Sequence, residues 1–169
     1  KLAIVQVGND PASMRYVRNK IKDCKEVGID GDVYAYPENM TELELDDELN
    51  HLQEFYDGVI VQLPLPPHIR SSIATAAILP EKDVDAFHPA NVGKIMIGDF
   101  DFVPCTPAGV MELIRESEVS VEGKECLVIG RSNIVGKPMS MLLLHQNGTV
   151  TICHSRTKDL KDVTRRADI

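Results

Sequence analysis

Residues 2–20 read Leu-Ala-Ile-Val-Gln-Val-Gly-Asn-Asp-Pro-Ala-Ser-Met-Arg-Tyr-Val-Arg-Asn-Lys. The apolar run over 2–7 closes on Gly8 and predicts a buried strand. Turn-forming residues follow, and a helix is predicted over 13–27 with Ser13 as its N-cap. Four apolar residues of this helix recur at helical spacing and predict a core-facing stripe: Met14, Val17, Ile21 and Cys24. A strand that leads directly into a helix is the building unit of parallel α/β folds.

The next sixty residues repeat this alternation. Strands are predicted over 32–36 and 59–63, and a helix between them starts at the capping box formed by Thr41 and Glu44. A short helix is expected over 69–77. Because the strands are almost continuously apolar, we predict an α/β fold with a parallel sheet covered on both faces.

A second α/β unit follows a Pro-rich boundary. Thr106 is predicted to N-cap a helix with Pro107 at its first position, and Val110, Leu113 and Ile114 are expected to face a core. Strands over 125–130 and 149–153 flank a helix over 137–145, and residues 167–169 resemble the start of another strand. We therefore predict two domains, residues 1–105 and residues 106–169. Two strands and one helix are too few to complete the second.

Composition excludes several classes of protein. The chain has 169 residues, 43% hydrophobic and 26% charged, which indicates a soluble globular protein. A net charge of −8 argues against a nucleic-acid or membrane partner, and no apolar run is long enough for a bilayer. Because the chain starts with Lys1 inside a predicted strand, we expect a segment to precede it.

The cysteines and histidines favour neither a disulfide framework nor a metal site. None of the four cysteines forms a C-x-x-C pair, and their apolar surroundings predict buried thiols in a reducing, cytoplasmic compartment. Cys153 and His154 are adjacent, but no second pair has ligand spacing, so we predict no metal.

Polar residues in the first domain suggest a ligand site. Ser13, Tyr16 and Lys20 stand at i, i+3 and i+7, so a hydroxyl, a phenol and an amine share one side of the first helix. Gln62 ends the third strand, and Asp85 lies in a long polar loop that follows. Taken singly, each of these residues is more typical of an ordinary protein surface.

The segment from Gly130 to Gly136 is a strand-to-helix turn suited to phosphate, because a helix N-terminus offers free N–H donors. Arg131 and Ser132 add a cation and a hydroxyl. Its spacing departs from G-x-G-x-x-G, so a tight connection without ligand is the alternative. The next strand ends at Ser155 and an arginine rather than an acid, which favours NADP over NAD.

Together these segments resemble the bifunctional methylenetetrahydrofolate dehydrogenase/cyclohydrolase family along the whole chain. The motifs that carry the resemblance are Val7-Gly8 with Pro11-Ala-Ser13, Tyr16-x-x-x-Lys20, Val61-Gln-Leu-Pro-Leu65, Pro80-Glu-Lys-Asp-Val-Asp85, Pro104-Cys-Thr-Pro107, Gly130-Arg-Ser-x-Ile-Val-Gly-x-Pro138 and Cys153-His-Ser155. One position departs from it: members commonly have glycine where this chain has Ala86. If the backbone there has positive φ, alanine costs on the order of 1 kcal/mol.

The resemblance implies residue roles. Lys20 is the catalytic lysine, Tyr16 packs against the folate, and Gln62 tunes the lysine. The implied substrate-binding residues are Ser13, Tyr16, Val61, Leu63 and Asp85, with Asp85 at the pterin end. The implied NADP-binding residues are Gly130, Arg131, Ser132, Gly136 and Ser155. A homodimer formed through the second domain is also implied.

The resemblance further implies two reactions. A hydride leaves 5,10-methylenetetrahydrofolate for NADP+, and water then opens the methenyl product to 10-formyltetrahydrofolate, with Lys20 as base and then acid. One alternative is a short-chain dehydrogenase, in which Tyr-x-x-x-Lys follows the glycine-rich turn; here it precedes it. Another is a non-catalytic folate- or nucleotide-binding paralogue.

Overall fold

The computed structural model describes all 169 residues. Its elements, in chain order, are β1 (Leu2–Val7), α1 (Pro11–Glu26), β2 (Gly31–Tyr36), α2 (Glu42–Leu52), β3 (Gly58–Val61), α3 (Ser71–Ala76), α4 (Pro89–Ile97), α5 (Cys105–Glu116), β4 (Glu125–Ile129), α6 (Gly136–His145), β5 (Thr149–Cys153) and α7 (Leu160–Thr164). They form two compact units, Lys1–Val84 and Asp85–Ile169. The predicted α/β class is confirmed.

The first unit is built on a three-stranded parallel sheet in the order β2-β1-β3. Its central strand β1 is buried on both faces, as its almost continuously apolar sequence predicts. Ala3 and Val5 point into a core with Leu45 and Leu49 of α2. On the opposite face, Ile4 packs in a second cluster with α1.

Helix α1 begins earlier than predicted. Asp10, rather than Ser13, is its N-cap, and Pro11 occupies the first turn. The predicted stripe is correct at Val17 and Cys24, which are buried, but wrong at Met14, which is exposed. The carboxylate of Asp10 lies three residues before Ser13 and accepts its N–H, which places the N-cap at Asp10.

Helix α2 starts at the predicted capping box. The Thr41 hydroxyl accepts from the Glu44 N–H at 3.2 Å, and the Glu44 carboxylate accepts from the Thr41 N–H at 2.7 Å. These two bonds satisfy N–H groups that the helix itself leaves unpaired. The capping box is therefore confirmed.

The second unit contains a two-stranded parallel sheet of β4 and β5, with α6 packed against both strands. Its core joins Val121, Cys126, Met139 and Leu143. The N–H of Leu127 donates to the carbonyl of Ile169 at 2.8 Å, so the last residues pair with the outer edge of β4 as the sequence suggests.

Several details of the second unit were predicted wrongly. Helix α5 starts at Cys105 after Pro104, and no side chain caps it, so Thr106 is not an N-cap. Val110 and Leu113 are exposed, whereas Ile114 does pack against the core. Met111, one turn before Ile114, shares that face. The sequence pattern therefore predicted this helix correctly but did not predict which of its faces is buried.

Helix α4 was not predicted at all. It spans Pro89–Ile97 and is followed by Gly98, whose φ is +81°. The His145 Nε2 lies 2.7 Å from the carbonyl oxygen of Ile95, which ties α4 to the end of α6. Residues 85–105, placed by the sequence in the first domain, thus begin the second unit, although the predicted domain boundary itself stays a prediction.

Three of the four cysteines are buried, but Cys105 is exposed, contrary to expectation. No helix of the chain combines the length and apolar character that crossing a bilayer requires.

Candidate active site

The carboxyl ends of β1 and β3 lie side by side in the first unit. Val5 pairs with Val61, and the N–H of Gln62 donates to the Val5 carbonyl at 2.8 Å. Gly8, with φ of +84°, turns the chain out of β1 toward α1. The sheet therefore brings Gln62 and the start of α1 to one edge, where α/β folds bind ligands.

Asp10 stabilises the N-terminus of α1. Its carboxylate accepts from the Ser13 N–H at 2.7 Å, and this bond lowers the pKa of Asp10. The Ser13 hydroxyl lies near the same carboxylate and lowers its pKa further. Ser13 is 4% exposed, and its buried Oγ accepts a hydrogen bond from no group in the chain.

Gln62 presents a second buried oxygen without a partner. Its Nε2 donates to the Leu63 carbonyl at 2.8 Å, while its Oε1 is buried and accepts from no group in the chain. A buried acceptor without a donor costs about 1–3 kcal/mol. Two such oxygens at one sheet edge mark a place for a ligand that carries donors.

Tyr16 and Lys20 lie one helical turn apart on α1. The Tyr16 side chain is 65% exposed, so its ring is open to a partner. It lines a groove of about 570 Å³ along α1 together with Pro11, Ala12, Arg15 and Asn19. Lys20 is half-buried, and its amine makes no hydrogen bond or ion pair within the chain.

The loop that the sequence singled out divides between the two units. Asp83 is 1% exposed and pairs with Val59 in an isolated parallel bridge, so it does not face solvent. Asp85 begins the second unit. Ala86 is fully buried with φ of +56°, which confirms that a position where alanine is strained follows Asp85.

The turn between β4 and α6 is built around two glycines. Gly130 has φ of +145°, and a Cβ placed on Gly136 would lie 2.3 Å from the Gly130 carbonyl oxygen. Only glycine permits this approach, because backbone atoms cannot move aside as a flexible side chain can. Position 136 therefore requires glycine, because the start of α6 passes close to the end of β4.

The Ser132 hydroxyl caps α6. It accepts from the N–H groups of Val135 and Gly136 at 3.1 and 3.2 Å, and the Ser132 carbonyl accepts from Lys137 at 3.0 Å. Pro138 follows and has no N–H. The expectation that the helix N-terminus offers free donors is therefore wrong.

Unpaired N–H donors lie instead in the loop just before α6. The backbone N–H groups of residues 131–134 donate to no protein atom, and all four residues are exposed. Since the Ser132 oxygen is occupied as an acceptor, its O–H proton remains free to donate. Together with the Arg131 guanidinium, the turn offers an anion several donors and a positive charge.

The end of β5 lies beside this turn. The Gly130 N–H donates to the Cys153 carbonyl at 2.8 Å, so the loop after β5 emerges at the same edge. Ser155 and Arg156 are exposed there. The N–H of Arg156 donates to His154 Nδ1 at 3.2 Å, which orders the loop from within.

Two models of one known family match successive parts of the chain. A model described as the tetrahydrofolate dehydrogenase/cyclohydrolase catalytic domain matches residues 1–85. A model described as the NAD(P)-binding domain of the same family matches residues 104–169. The chain belongs to the tetrahydrofolate dehydrogenase/cyclohydrolase family. Within this family, Lys20 and Gln62 fall in the catalytic domain, and the Gly130–Gly136 turn falls in the NAD(P)-binding domain.

Similar proteins support this family assignment. A "Bifunctional protein FolD" of Acetivibrio thermocellus is 60% identical over 170 residues, which cover 99% of this chain and 60% of that protein. The structure of a FolD methylenetetrahydrofolate dehydrogenase/cyclohydrolase from Campylobacter jejuni has a TM-score of 0.94 at 47% identity, covering 99% of this chain and 60% of that one. The chain thus spans about 60% of the length of these family members.

A third relative was solved with ligands. The Trypanosoma brucei enzyme, described as complexed with NADP cofactor and inhibitor, has a TM-score of 0.94 at 39% identity and covers 99% of this chain and 58% of that one. These comparisons do not favour the alternative of a short-chain dehydrogenase.

The structure also reveals a supporting residue that the sequence analysis missed. Gln6 is a buried amide inside the apolar strand β1, and its Nε2 donates to the Gly8 carbonyl at 3.2 Å. It braces the turn that leads into α1. A single polar residue within an otherwise apolar strand was the available signal.

Proposed function

We propose that the protein oxidises 5,10-methylenetetrahydrofolate with NADP+ to the 5,10-methenyl form and hydrolyses that product to 10-formyltetrahydrofolate. The observation that carries the proposal is the pair of unpartnered buried oxygens, Ser13 Oγ and Gln62 Oε1, at the sheet edge from which α1 and its Lys20 begin. A reduced pterin carries several N–H donors, which such acceptors would bind.

Lys20 is the proposed proton-transfer group. Its amine has no partner in the chain, so it is free to bond with substrate or water. It takes a proton from the water that attacks the methenyl carbon and returns one as the ring opens. The family resemblance assigns the tuning of this lysine to Gln62, whose side chain is held by its bond to the Leu63 carbonyl.

The folate rests on side chains with distinct tasks. The exposed Tyr16 ring offers an aromatic wall for stacking. Val61 and Leu63 flank Gln62 at the end of β3 and pack toward the core of the first unit. Ser13 supplies a polar contact, and Asp85 accepts from the donor edge of the pterin. These assignments follow the family resemblance residue by residue.

The NADP-binding residues fit the group they are proposed to hold. The unpaired N–H groups of the 131–134 loop, the free O–H of Ser132 and the Arg131 guanidinium suit a phosphate, and Gly130 and Gly136 let the backbone approach it. Ser155, beside an arginine instead of an acid, fits the 2′-phosphorylated ribose. When bound, NADP+ supplies the hydride acceptor.

We also propose a homodimer formed through the second domain and a cytoplasmic location. The three buried cysteines, none paired in a disulfide, support a reducing compartment. Light scattering coupled to size-exclusion chromatography measures the dimer directly, and a mass corresponding to one chain would contradict it.

A spectroscopic assay tests the proposed function. The purified full-length protein is mixed with 5,10-methylenetetrahydrofolate and NADP+, and absorbance is followed for methenyl formation and reduced cofactor. A second run starts from the methenyl compound without cofactor and follows its disappearance. We expect turnover in both runs.

The alternative outcomes separate the candidates. Binding of folate and NADP+ without turnover in either run identifies a non-catalytic paralogue. Oxidation without acceleration of hydrolysis would overturn the role of Lys20 as proton-transfer group while leaving the dehydrogenase in place.

A further inference from the structure

Two side chains hold the loop that leads to Asp85 against the end of α2. Gln53, which is 5% exposed, follows the last residue of α2. Its Oε1 accepts from the Leu79 N–H, and its Nε2 donates to the Ala77 carbonyl at 3.2 Å. One amide therefore fixes both a donor and an acceptor of the loop backbone.

Lys82 makes the reciprocal attachment. Its Nζ donates to the carbonyl of Gln53 and, at 2.8 Å, to the carbonyl of Tyr56. These carbonyls belong to the C-terminal end of α2 and the turn after it, where unpaired carbonyls and the helix dipole favour a cation. The Gln53 side chain thus bonds to the loop backbone, and the Lys82 side chain of the loop bonds to the Gln53 backbone.

The far side of the same loop lies along β3. The Val59 N–H donates to the Lys82 carbonyl at 2.8 Å, and Val59 pairs with Asp83. A Cβ on Gly58 would lie 2.8 Å from Cγ1 of Val84, so glycine allows this close approach. The backbone is thus held on two sides up to the residue before Asp85.

We propose that Gln53 and Lys82 are positioning residues for the folate substrate, acting through the placement of Asp85. The inference rests on the proposed function, which gives Asp85 the pterin end. Neither side chain touches the substrate in this account. They restrict where the loop can go, so that Asp85 meets the ring without first having to be ordered.

The test compares Lys82→Met, Lys82→Arg and Gln53→Met with the unaltered full-length protein. In Lys82→Met, which keeps the length of the side chain but removes its donors, we expect the KM for methylenetetrahydrofolate to rise about tenfold. We expect kcat and the KM for NADP+ to stay within about twofold, because Asp85 is assigned to binding alone. Lys82→Arg retains a donor and restores most of the lost affinity.

A matched control removes a contact elsewhere in the same unit. Tyr36→Phe deletes the 2.9 Å hydrogen bond from the Tyr36 hydroxyl to Glu48 and leaves the hydrogen bonds of Gln53 and Lys82 in place. Its folate KM should equal that of the unaltered protein. Hydrogen exchange at the Val59 amide, which donates to Lys82, reports the loop without reference to activity and should accelerate in Lys82→Met and Gln53→Met only.

Each result bears on the proposal. Faster exchange at Val59 with an unchanged folate KM in Lys82→Met and Gln53→Met would overturn it, because the loop would be loosened without consequence for the substrate. Unchanged exchange would overturn it equally. If Lys82→Met does not fold, Gln53→Met decides on the same criteria. Inactivity of the unaltered protein contradicts the proposed function instead, and is seen before any variant is made.

Discussion

Two strand-to-helix turns, one in each unit, use their polar groups in opposite ways. At the start of α1 the cap is the Asp10 carboxylate, and the serine three residues later keeps a buried hydroxyl without a partner. At the start of α6 the cap is the Ser132 hydroxyl, which satisfies the helix N–H groups and leaves those of the preceding loop unpaired.

The difference decides what each turn can bind. The α1 turn carries a negative cap and two buried oxygens that accept no hydrogen bond, so it suits a ligand with donors. The α6 turn has a neutral cap, four free backbone N–H groups and the cation of Arg131, so it suits an anion. Under the proposed function, the same local topology would bind a pterin in one unit and a phosphate in the other.

The largest expected effect comes from removing the amine on the α1 side. Lys20→Met should lower methenyl hydrolysis by about a hundredfold or more, since general acid–base groups contribute on that scale. Hydrolysis rates are measured by the loss of methenyl absorbance. Lys22→Met, which removes the amine of an exposed lysine on the same helix, serves as a control for helix disturbance. Full hydrolysis in Lys20→Met would end the assignment.

The next effect concerns the α6 turn. Gly136→Ala forces a Cβ against the Gly130 carbonyl and should destabilise the second unit by about 3 kcal/mol, with weakened NADP+ binding. Gly109→Ala, on exposed α5 with nothing within 4 Å of its Cβ, is the control. Chemical denaturation followed by circular dichroism measures both variants. Equal stability of the two would show that the close approach at Gly136 is not needed.

A smaller effect separates capping from ligand contact at Ser132. Ser132→Ala and Ser132→Gly both remove the oxygen that accepts from the Val135 and Gly136 N–H groups, and each should lose about 1 kcal/mol of stability. Both lack the free O–H and should bind NADP+ about tenfold more weakly. Thermal unfolding and calorimetric titration give the two quantities. If both variants keep the NADP+ affinity of the unaltered protein, the O–H does not contact the cofactor.

The smallest effect distinguishes the two caps by pH. Because the folded-state pKa of Asp10 lies below its ordinary value of 3.8, its carboxylate stabilises α1 fully above pH 3.8 and loses that contribution as pH falls through the lower, folded-state value. In an NMR titration the Ser13 amide should therefore shift below pH 3.8. In Asp10→Asn, which keeps a capping oxygen, that shift should vanish. A Val135 amide titrating in the same range would contradict the contrast, since its Ser132 cap carries no charge.

Much of this arrangement was predictable because it is local. The apolar strands, the capping box at Thr41 and the glycines of the α6 turn are encoded within a few neighbouring residues. The family resemblance, confirmed by the comparisons, placed Lys20 and Gln62 in the catalytic domain before any contact was known. The roles given to these residues stay predictions.

The remaining features could not be predicted, because they depend on competition between neighbouring residues or on contacts between residues far apart in the chain. Asp10 and Ser13 both suit an N-cap, and only the fold shows that Asp10 takes the position. The sequence also suggested free donors at the α6 N-terminus, because nothing in it reveals that the Ser132 hydroxyl turns inward to accept them. The attachment of Lys82 to the end of α2 joins residues 26 and 29 positions apart, which no local pattern reports.

The most direct test of the division between the two turns is calorimetric titration of NADP+ and of a tetrahydrofolate analogue into the same variants. Ser132→Gly should lose about tenfold in NADP+ affinity and retain the affinity of the unaltered protein for the folate analogue. Lys20→Met should retain NADP+ affinity despite its loss of hydrolysis. A loss of NADP+ affinity in Lys20→Met, or of folate affinity in Ser132→Gly, would contradict the separation.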